Sequence, residues 1–474
     1  MMHNKHLHVI SLLAGPILFT TMLLLPLWTF EIRGALGLLL WMAAWWIFRP
    51  VHMGVTSFLP LPIIALFNFA PMEQILPSYA DNIVILLLGA SILTVTWMRW
   101  GLDKRLALLF LFRGGVNVKS QIFFWFVLSI MMSAVLPNTV VAATLIPIAV
   151  AMLGYLNISG ARIETSEFAT GILLAIAWGT SVGGIGTPLG GAMNLLTMRL
   201  VEETVSGHEF MFWVWVTRMF PLMLLTSSVL LAYLLSFPFE INKVEKGAAY
   251  IKQSYLELGP ITREEKVCLY LFSITVVFTF LRPFYISTLP LLHPAYIFLL
   301  AGIICFAITV KGKPLLTWQY AQPKIMWGLI YLFAGGIALG KIIDLSGAGL
   351  LFGNFMSNYV TSLFLGLAVF GAVAILLTNI TSNTAACAIV IPIVISTSQS
   401  LGINPIPFIY IAAAAANAGF VLPSSSGGPA LAAGYGINVK KMALRGILAM
   451  LMTLIILCVA GYFISSIWGG FWIV

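Results

Sequence analysis

Two apolar stretches, residues 121–156 and 359–400, are too long for one membrane crossing, and each is broken by the same polar pair. The first carries "AVLPNTVVAATLIPIAV" (134–150) and the second "NITSNTAACAIVIPIVI" (379–395). In both, Asn-Thr is followed by an apolar run and then Ile-Pro, and nine residues separate Asn138 from Pro147 and Asn383 from Pro392. A crossing helix takes about 20 apolar residues, so each stretch holds more than one helix. A break at that depth frees backbone N–H and C=O groups, which membranes tolerate only where they line a wet cavity or bind something. Binding is the economical reading.

The remaining sequence fits a membrane setting. Of 474 residues, 61% are hydrophobic and only 8% charged, against about a quarter charged in soluble proteins. Apolar runs joined by short polar segments predict an all-α polytopic membrane protein with about eleven transmembrane helices plus re-entrant pieces. The first run follows Lys5 and lacks a small-residue cleavage site, so it reads as a retained helix and not a signal peptide. The net charge of +9 resides largely in joints: "RWGLDKR" with Arg113 and Lys119, "VKGK" with Lys324, and "KKMALR". Lys/Arg excess marks cytoplasmic loops and calls for no nucleic-acid partner. It predicts a cytoplasmic N-terminus, a cytoplasmic 99–119 loop and an outside C-terminus in an inner or plasma membrane. Cys268, Cys305, Cys387 and Cys458 lie scattered in apolar segments and read as buried free thiols.

The least hydrophobic long stretch, "FEINKVEKGAAYIKQSYLELGPITREEK" (239–266), reads as a cytoplasmic linker between a first half, 1–238, and a second, 267–474. The halves resemble each other. "LLLGASILTVTWMRWGLDKRLALL" (86–109) aligns with "LFAGGIALGKIIDLSGAGLLFGNF" (332–355), pairing Gly89 with Gly335 and Gly101 with Gly347 at an offset of 246; the Asn-Thr pairs follow at 245. A Gly- and hydroxyl-rich interruption then comes in each half, "GTSVGGIGTPLGGAMN" with Thr187 and "FVLPSSSGGPALAAGYG" with Ser426. Interrupted segments at matching positions of an inverted repeat point to a secondary transporter with its site at the repeat interface.

The chemistry follows from the breaks. Helices starting at Asn138 and Asn383 would aim two positive dipole ends and free N–H donors at one point, which suits an anion. Freed carbonyls with Ser and Thr oxygens suit a hard cation such as Na⁺. Hardly any titratable group lies inside the apolar spans: Lys341 and Asp344 stand three apart near a helix end and read as a mutual pair, and His293 reads as a boundary residue. Proton relays need acids or histidines at depth, so proton coupling is disfavoured and little pH dependence is expected between about pH 6 and 8. The chain carries no HExxH, GxSxG, Walker or GxGxxG pattern in a suitable context, and it is read as no enzyme.

Taken together, the two Asn-Thr motifs, the segments "LGASILTVTWMRWGLDKRLAL" and "FAGGIALGKIIDLSG", read as re-entrant, and "GGIGTPLGGAMN" and "FVLPSSSGG" resemble the divalent anion:sodium symporter family of Na⁺-coupled dicarboxylate, citrate and sulfate carriers. The resemblance runs from about residue 80 to the C-terminus. It implies a homodimer in the lipid bilayer, eleven transmembrane helices with two re-entrant hairpins, and an elevator movement of a transport domain against a scaffold. It implies a first sodium site at Ser133, Pro137, Asn138 and the Gly186 carbonyl, and a second at Thr378, Thr381, Asn383 and Ser425. Substrate would touch Asn138, Thr139, Thr187, Asn383, Thr384 and Ser426. The family's Ser-Asn-Thr is intact as Ser382-Asn383-Thr384, but Pro137 replaces the first Ser, and "GTPLGGAMN" and "SSSGGP" depart from the usual Pro-Pro-Asn endings. The function implied is symport of a small divalent anion, a C4-dicarboxylate, with Na⁺ as coupling ion. The alternatives are sodium-independent anion exchange and sulfate or oxyanion transport.

Overall fold

The computed structural model describes residues 2–349, 351 and 359–474. Helices account for most of it, and the only sheet among the described residues is a two-residue ladder, Thr309–Val310 against Lys313–Pro314. The principal helices are α1 (Met2–Leu24), α2 (Phe30–Phe48), α3 (Asn82–Trp100), α4 (Val118–Ser133), α5 (Asn138–Tyr155), α6 (Glu167–Gly183), α7 (Ala192–Val201) and α8 (Phe212–Leu235). They continue as α9 (Glu245–Glu257), α10 (Arg263–Phe280), α11 (Pro294–Ala307), α12 (Trp327–Ser346) and α13 (Leu363–Ile380). The last are α14 (Asn383–Ser400), α15 (Ile406–Ala416), α16 (Gly427–Gly434) and α17 (Val439–Ile467). Among the described residues eight helices are long and apolar enough to cross a membrane, and six apolar helices of 10–17 residues accompany them. The chain is thus an all-α polytopic membrane protein.

Both over-long apolar stretches fold back at their Asn-Thr pairs. The first becomes the α4–α5 hairpin and the second the α13–α14 hairpin, with Pro147 inside α5 and Pro392 inside α14. Two further helices are interrupted: residues 184–191 separate α6 from α7, and 417–426 separate α15 from α16. Every residue of α6 from Phe168 to Gly183 is buried, and so is every residue of α15. A helix apolar all round belongs in a core, and α6 packs on α4 and α5, as α15 packs on α13 and α14.

Of the segments read as re-entrant, 88–108 runs off the end of α3 through Gly101 into a further helix, Leu102–Leu111, and 333–347 lies within α12 and its cap. Their likeness survives where it can be followed, residues 350 and 352–355 being outside the described residues. Gly101 ends α3 at φ 71° and Gly347 ends α12 at φ 73°, the left-handed caps that favour glycine. Gly89 and Gly335 sit at helix crossings, where an added Cβ would lie 2.4 Å from the Phe298 backbone and 2.6 Å from that of Ser57. The 239–266 stretch is more ordered than a plain linker: Val118 N donates to Asn242 O, Val244 N to Val116 O, and α9 packs on α5. The four cysteines are free and buried.

Candidate functional site

Each hairpin tip is organised by its own asparagine. Behind the first, Ser133 Oγ lies 2.7 Å from both Asn138 Oδ1 and the Thr180 carbonyl. Behind the second, Thr378 Oγ1 lies 2.8 Å from Asn383 Oδ1 and 2.7 Å from the Ala416 carbonyl. Ser133 and Thr378 are 245 residues apart, as Asn138 and Asn383 are. The same local device therefore occurs twice: a hydroxyl on the incoming helix, the amide oxygen that starts the outgoing one, and a carbonyl from the last turns of the neighbouring broken helix. The caps differ. Ser382 accepts from Ala385 N at 3.2 Å, whereas Pro137 gives α5 no side-chain cap.

The two tips line one cavity of about 550 Å³. Pro137, Asn138 and Thr139 enter it from the first hairpin, Ser382, Asn383 and Thr384 from the second, and Ser425 and Ser426 from the break between α15 and α16. The halves touch closely here, since an added Cβ on Gly427 would lie 2.3 Å from Thr139 Oγ1. Other expected site residues stand behind the wall. Ser133 and Thr378 are buried as described, and Thr187 is turned to the first tip, donating to the Ala134 carbonyl and accepting from Gly190 N at 3.0 Å. Gly186 packs against Met223, and the Thr381 hydroxyl donates to Trp46 O of α2 at 3.0 Å.

The sequence matches the model of the sodium:sulfate symporter transmembrane region over residues 6–471. The chain belongs to this family, the divalent anion:sodium symporters. It is accordingly a multi-pass membrane transporter and not an enzyme. The sodium-dependent dicarboxylate transporter SdcS of Staphylococcus saprophyticus is 28% identical over 483 residues, covering 97% of this chain and 92% of that one. SdcS of Staphylococcus aureus is 29% identical, covering 97% and 91%. Solved structures of similar fold are the Alcanivorax borkumensis YdaH transporter (TM-score 0.54, 13% identity, 84% of this chain and 89% of that one) and Neisseria gonorrhoeae MtrF (TM-score 0.54, 12% identity, 93% and 97%).

Several residues that line or stand behind the wall of this symporter-family cavity carry no sequence signal of their own. Asn379, one turn before the second tip, donates to the Ile375 and Ala418 carbonyls at 2.7 and 3.0 Å and accepts from Phe420 N and Val421 N at 2.8 and 2.9 Å. It thereby holds the unwound segment after α15. Asn194 and Asn417 orient each other. Asn194 Nδ2 donates to the Gly184 and Thr187 carbonyls at 2.5 and 2.8 Å, which turns its Oδ1 toward Asn417 Nδ2 at 3.2 Å. Asn417 Nδ2 also donates to Ala413 O at 2.9 Å, so its Oδ1 is forced to the opposite side. That buried oxygen has no hydrogen-bond partner among the described residues. A Cβ added to Gly184 would lie 2.9 Å from it and 3.1 Å from Asn138 Oδ1. Arg49 and His52, after α2, line the cavity as well.

Away from the cavity, charged groups gather beyond the end of α7. Arg199 meets Asp81 at 2.7 Å, Glu203 at 2.8 Å and Glu202 at 3.4 Å, and Arg282 meets Glu209 at 2.9 Å. Lys341 pairs with Glu203 at 2.9 Å and not with Asp344, because α7 packs against α12 and brings a carboxylate within reach. His293 is a boundary residue that caps α11, its Nδ1 accepting from Ala295 N at 3.2 Å. Burial pushes the Glu202 carboxyl up to about 7 despite the Arg199 charge beside it. This is a titrating group that the expectation of little pH dependence did not include.

Proposed function

We propose that the protein carries a small divalent anion, a C4-dicarboxylate, across an inner or plasma membrane in symport with Na⁺. The observation that carries this reading is the convergence of Asn138-Thr139 and Asn383-Thr384, the starts of two helices, on one cavity lined by Ser425 and Ser426. Helix N-termini and neutral amide and hydroxyl donors favour an anion with two separated charges. The staphylococcal relatives, named as sodium-dependent dicarboxylate transporters, point the same way.

Sodium is supported by one buried oxygen that lacks a donor among the described residues. Asn417 Oδ1 is a buried acceptor without a partner, beside Asn138 Oδ1. With Ser133 Oγ and nearby carbonyls it forms a set suited to a hard cation, and an unmatched buried acceptor costs about 1–3 kcal/mol if nothing meets it. We place the first ion there and the second at Thr378 and Asn383 with the Ala416 carbonyl. In this reading Thr187 and Gly186 shape the first tip, while Thr381 and Ser425 shape the second. Two repeats joined through 239–266, a homodimer, an elevator movement, a cytoplasmic N-terminus and an outside C-terminus complete the proposal.

Purified protein in proteoliposomes should accumulate radiolabelled succinate when an inward Na⁺ gradient is imposed, with citrate and sulfate as competing substrates. Asn138→Ala and Asn383→Ala should each abolish uptake in a folded protein. Succinate uptake indifferent to Na⁺ would overturn the coupling, and normal uptake by either variant would overturn the site.

A further inference from the structure

Arg49 carries the one formal charge among the described residues lining the cavity, if His52 is neutral. Its position is unusual. It ends α2 in the left-handed conformation, φ 51° and ψ 47°, which β-carbon residues adopt at a cost and which persists where the surroundings enforce it. From there a single nitrogen, Nη2, donates to two carbonyls across the cavity wall: Thr381 O at the second hairpin tip, 2.9 Å, and Ser424 O in the break after α15, 2.7 Å. Nε and Nη1 have no hydrogen-bond partner among the described residues, and the side chain is exposed to the cavity mouth. The same tip is tied to α2 a second time by the Thr381 hydroxyl on Trp46 O.

We propose that Arg49 is an anion-binding residue of the transport site, whose guanidinium leaves the Thr381 and Ser424 carbonyls for the bound dicarboxylate and so removes one of the two ties between the second hairpin tip and α2. The idea rests on the anion-carrier reading above. A guanidinium bonded to two neutral carbonyls through one nitrogen keeps most of its donors, and a carboxylate offers it the charge-assisted, two-pronged partner that it binds about twice as strongly. The empty carrier is then held at the α2 end of the second hairpin by Arg49 and Thr381 together, and the loaded carrier by Thr381 alone. Exchange of anion for anion should outrun net movement, because only net movement requires the empty protein to release the tip.

The test compares wild type, Arg49→Lys and Arg49→Gln in proteoliposomes, measuring succinate KM and Vmax for Na⁺-driven uptake and for succinate–succinate exchange, with melting of each protein with and without succinate. Loss of a charge-assisted bond should raise the Arg49→Gln KM by about tenfold or more. The ratio of net uptake to exchange at saturating succinate should rise at the same time, since the empty protein is then held by Thr381 alone. Arg49→Lys, which keeps the charge and loses the fork, should show an intermediate KM. An Arg49→Gln protein with wild-type KM, or Lys and Gln variants with equal KM, would overturn the proposal while leaving the carrier reading intact. Wild type that moves none of succinate, citrate or sulfate would overturn both. If Arg49→Gln does not fold, the Lys variant decides: an unchanged KM with an unchanged ratio of uptake to exchange refutes the role.

Discussion

Replacing Asn379 with Ala tests how the cavity wall is held. The side chain is 5% exposed and makes four hydrogen bonds, two of them accepted from Phe420 N and Val421 N in a segment that has left the helix. Helical backbone can satisfy neither amide there, because 417–426 lies between α15 and α16. Each buried N–H left without an acceptor costs about 1–3 kcal/mol, so Asn379→Ala should destabilise by about 2–6 kcal/mol. The loss should show as a fall of several degrees in the melting temperature of the purified protein in detergent. Transport should fall further than stability, since Ser425 and Ser426 hang from the loosened segment. Asn379→Asp keeps the acceptor for Phe420 and Val421 but sets a carboxylate oxygen against the Ile375 and Ala418 carbonyls in a buried site, so it should be destabilised as well. An Asn379→Ala protein with wild-type melting and wild-type succinate KM would refute this account of the wall.

Three further outcomes can be checked. Pro137→Ser should give α5 the side-chain cap that Ser382 gives α14, raising melting stability by the equivalent of about 1 kcal/mol, with tighter succinate binding if the tip amides then sit as they do in the second hairpin; Ser382→Ala should lose a similar amount. Gly427→Ala should reduce uptake at least about tenfold with expression retained, because a Cβ there would lie 2.3 Å from Thr139 Oγ1 and 2.8 Å from Thr139 Cα, so the two halves of the site cannot close. For Glu202, burial raises the folded carboxyl from 4.5 to about 7, so its contribution to stability is full below about pH 4.5 and disappears as pH rises through 7; melting of wild type should decline between pH 5 and 7 relative to Glu202→Gln, and parallel profiles would show that Glu202 is not the titrating group.

Much of the fold was legible because membranes punish irregularity. An Asn-Thr pair in the middle of an apolar stretch has few permitted explanations, and the repeat of that pair with its following proline located both hairpins. Gly101 and Gly347 were legible as a matched pair because a left-handed helix end nearly demands glycine. Within the same segments Gly89 and Gly335 serve close helix crossings, a role that only their tertiary neighbours reveal. Arg49 was invisible as a site residue because an arginine followed by proline at the end of an aromatic helix reads as an interfacial anchor. Asn379 and Asn417 needed their tertiary partners: nothing in "LLTNI" tells that the Asn379 amide will meet Ala418, Phe420 and Val421, and nothing in "AAANAGF" tells that the Asn417 amide will meet the Asn194 side chain. Thr187 shows the converse, a hydroxyl in a suggestive motif whose hydrogen bonds lie within the first tip.

The two hairpin tips share the hydroxyl–amide–carbonyl arrangement and are unequal in what ties each down. At the first hairpin the polar bonds stay local: Ser133 to Thr180, Thr187 to Ala134, and no cap at Pro137. At the second they reach outward, through the Thr381 hydroxyl to Trp46, through Arg49 to Thr381 and Ser424, and through Ser382 Oγ toward Met53 Sδ at 3.6 Å. Trp46 lies on α2, Arg49 ends it, and Met53 begins the short helix Met53–Thr56 that follows. Any displacement of the hairpins relative to α2 therefore breaks bonds at the second tip and none of these at the first. The energetic gate for such a movement lies on the second hairpin, so substitutions at Thr381, Ser382 and Arg49 should alter Vmax in ways that their counterparts at the first tip, Leu136 and Pro137, do not.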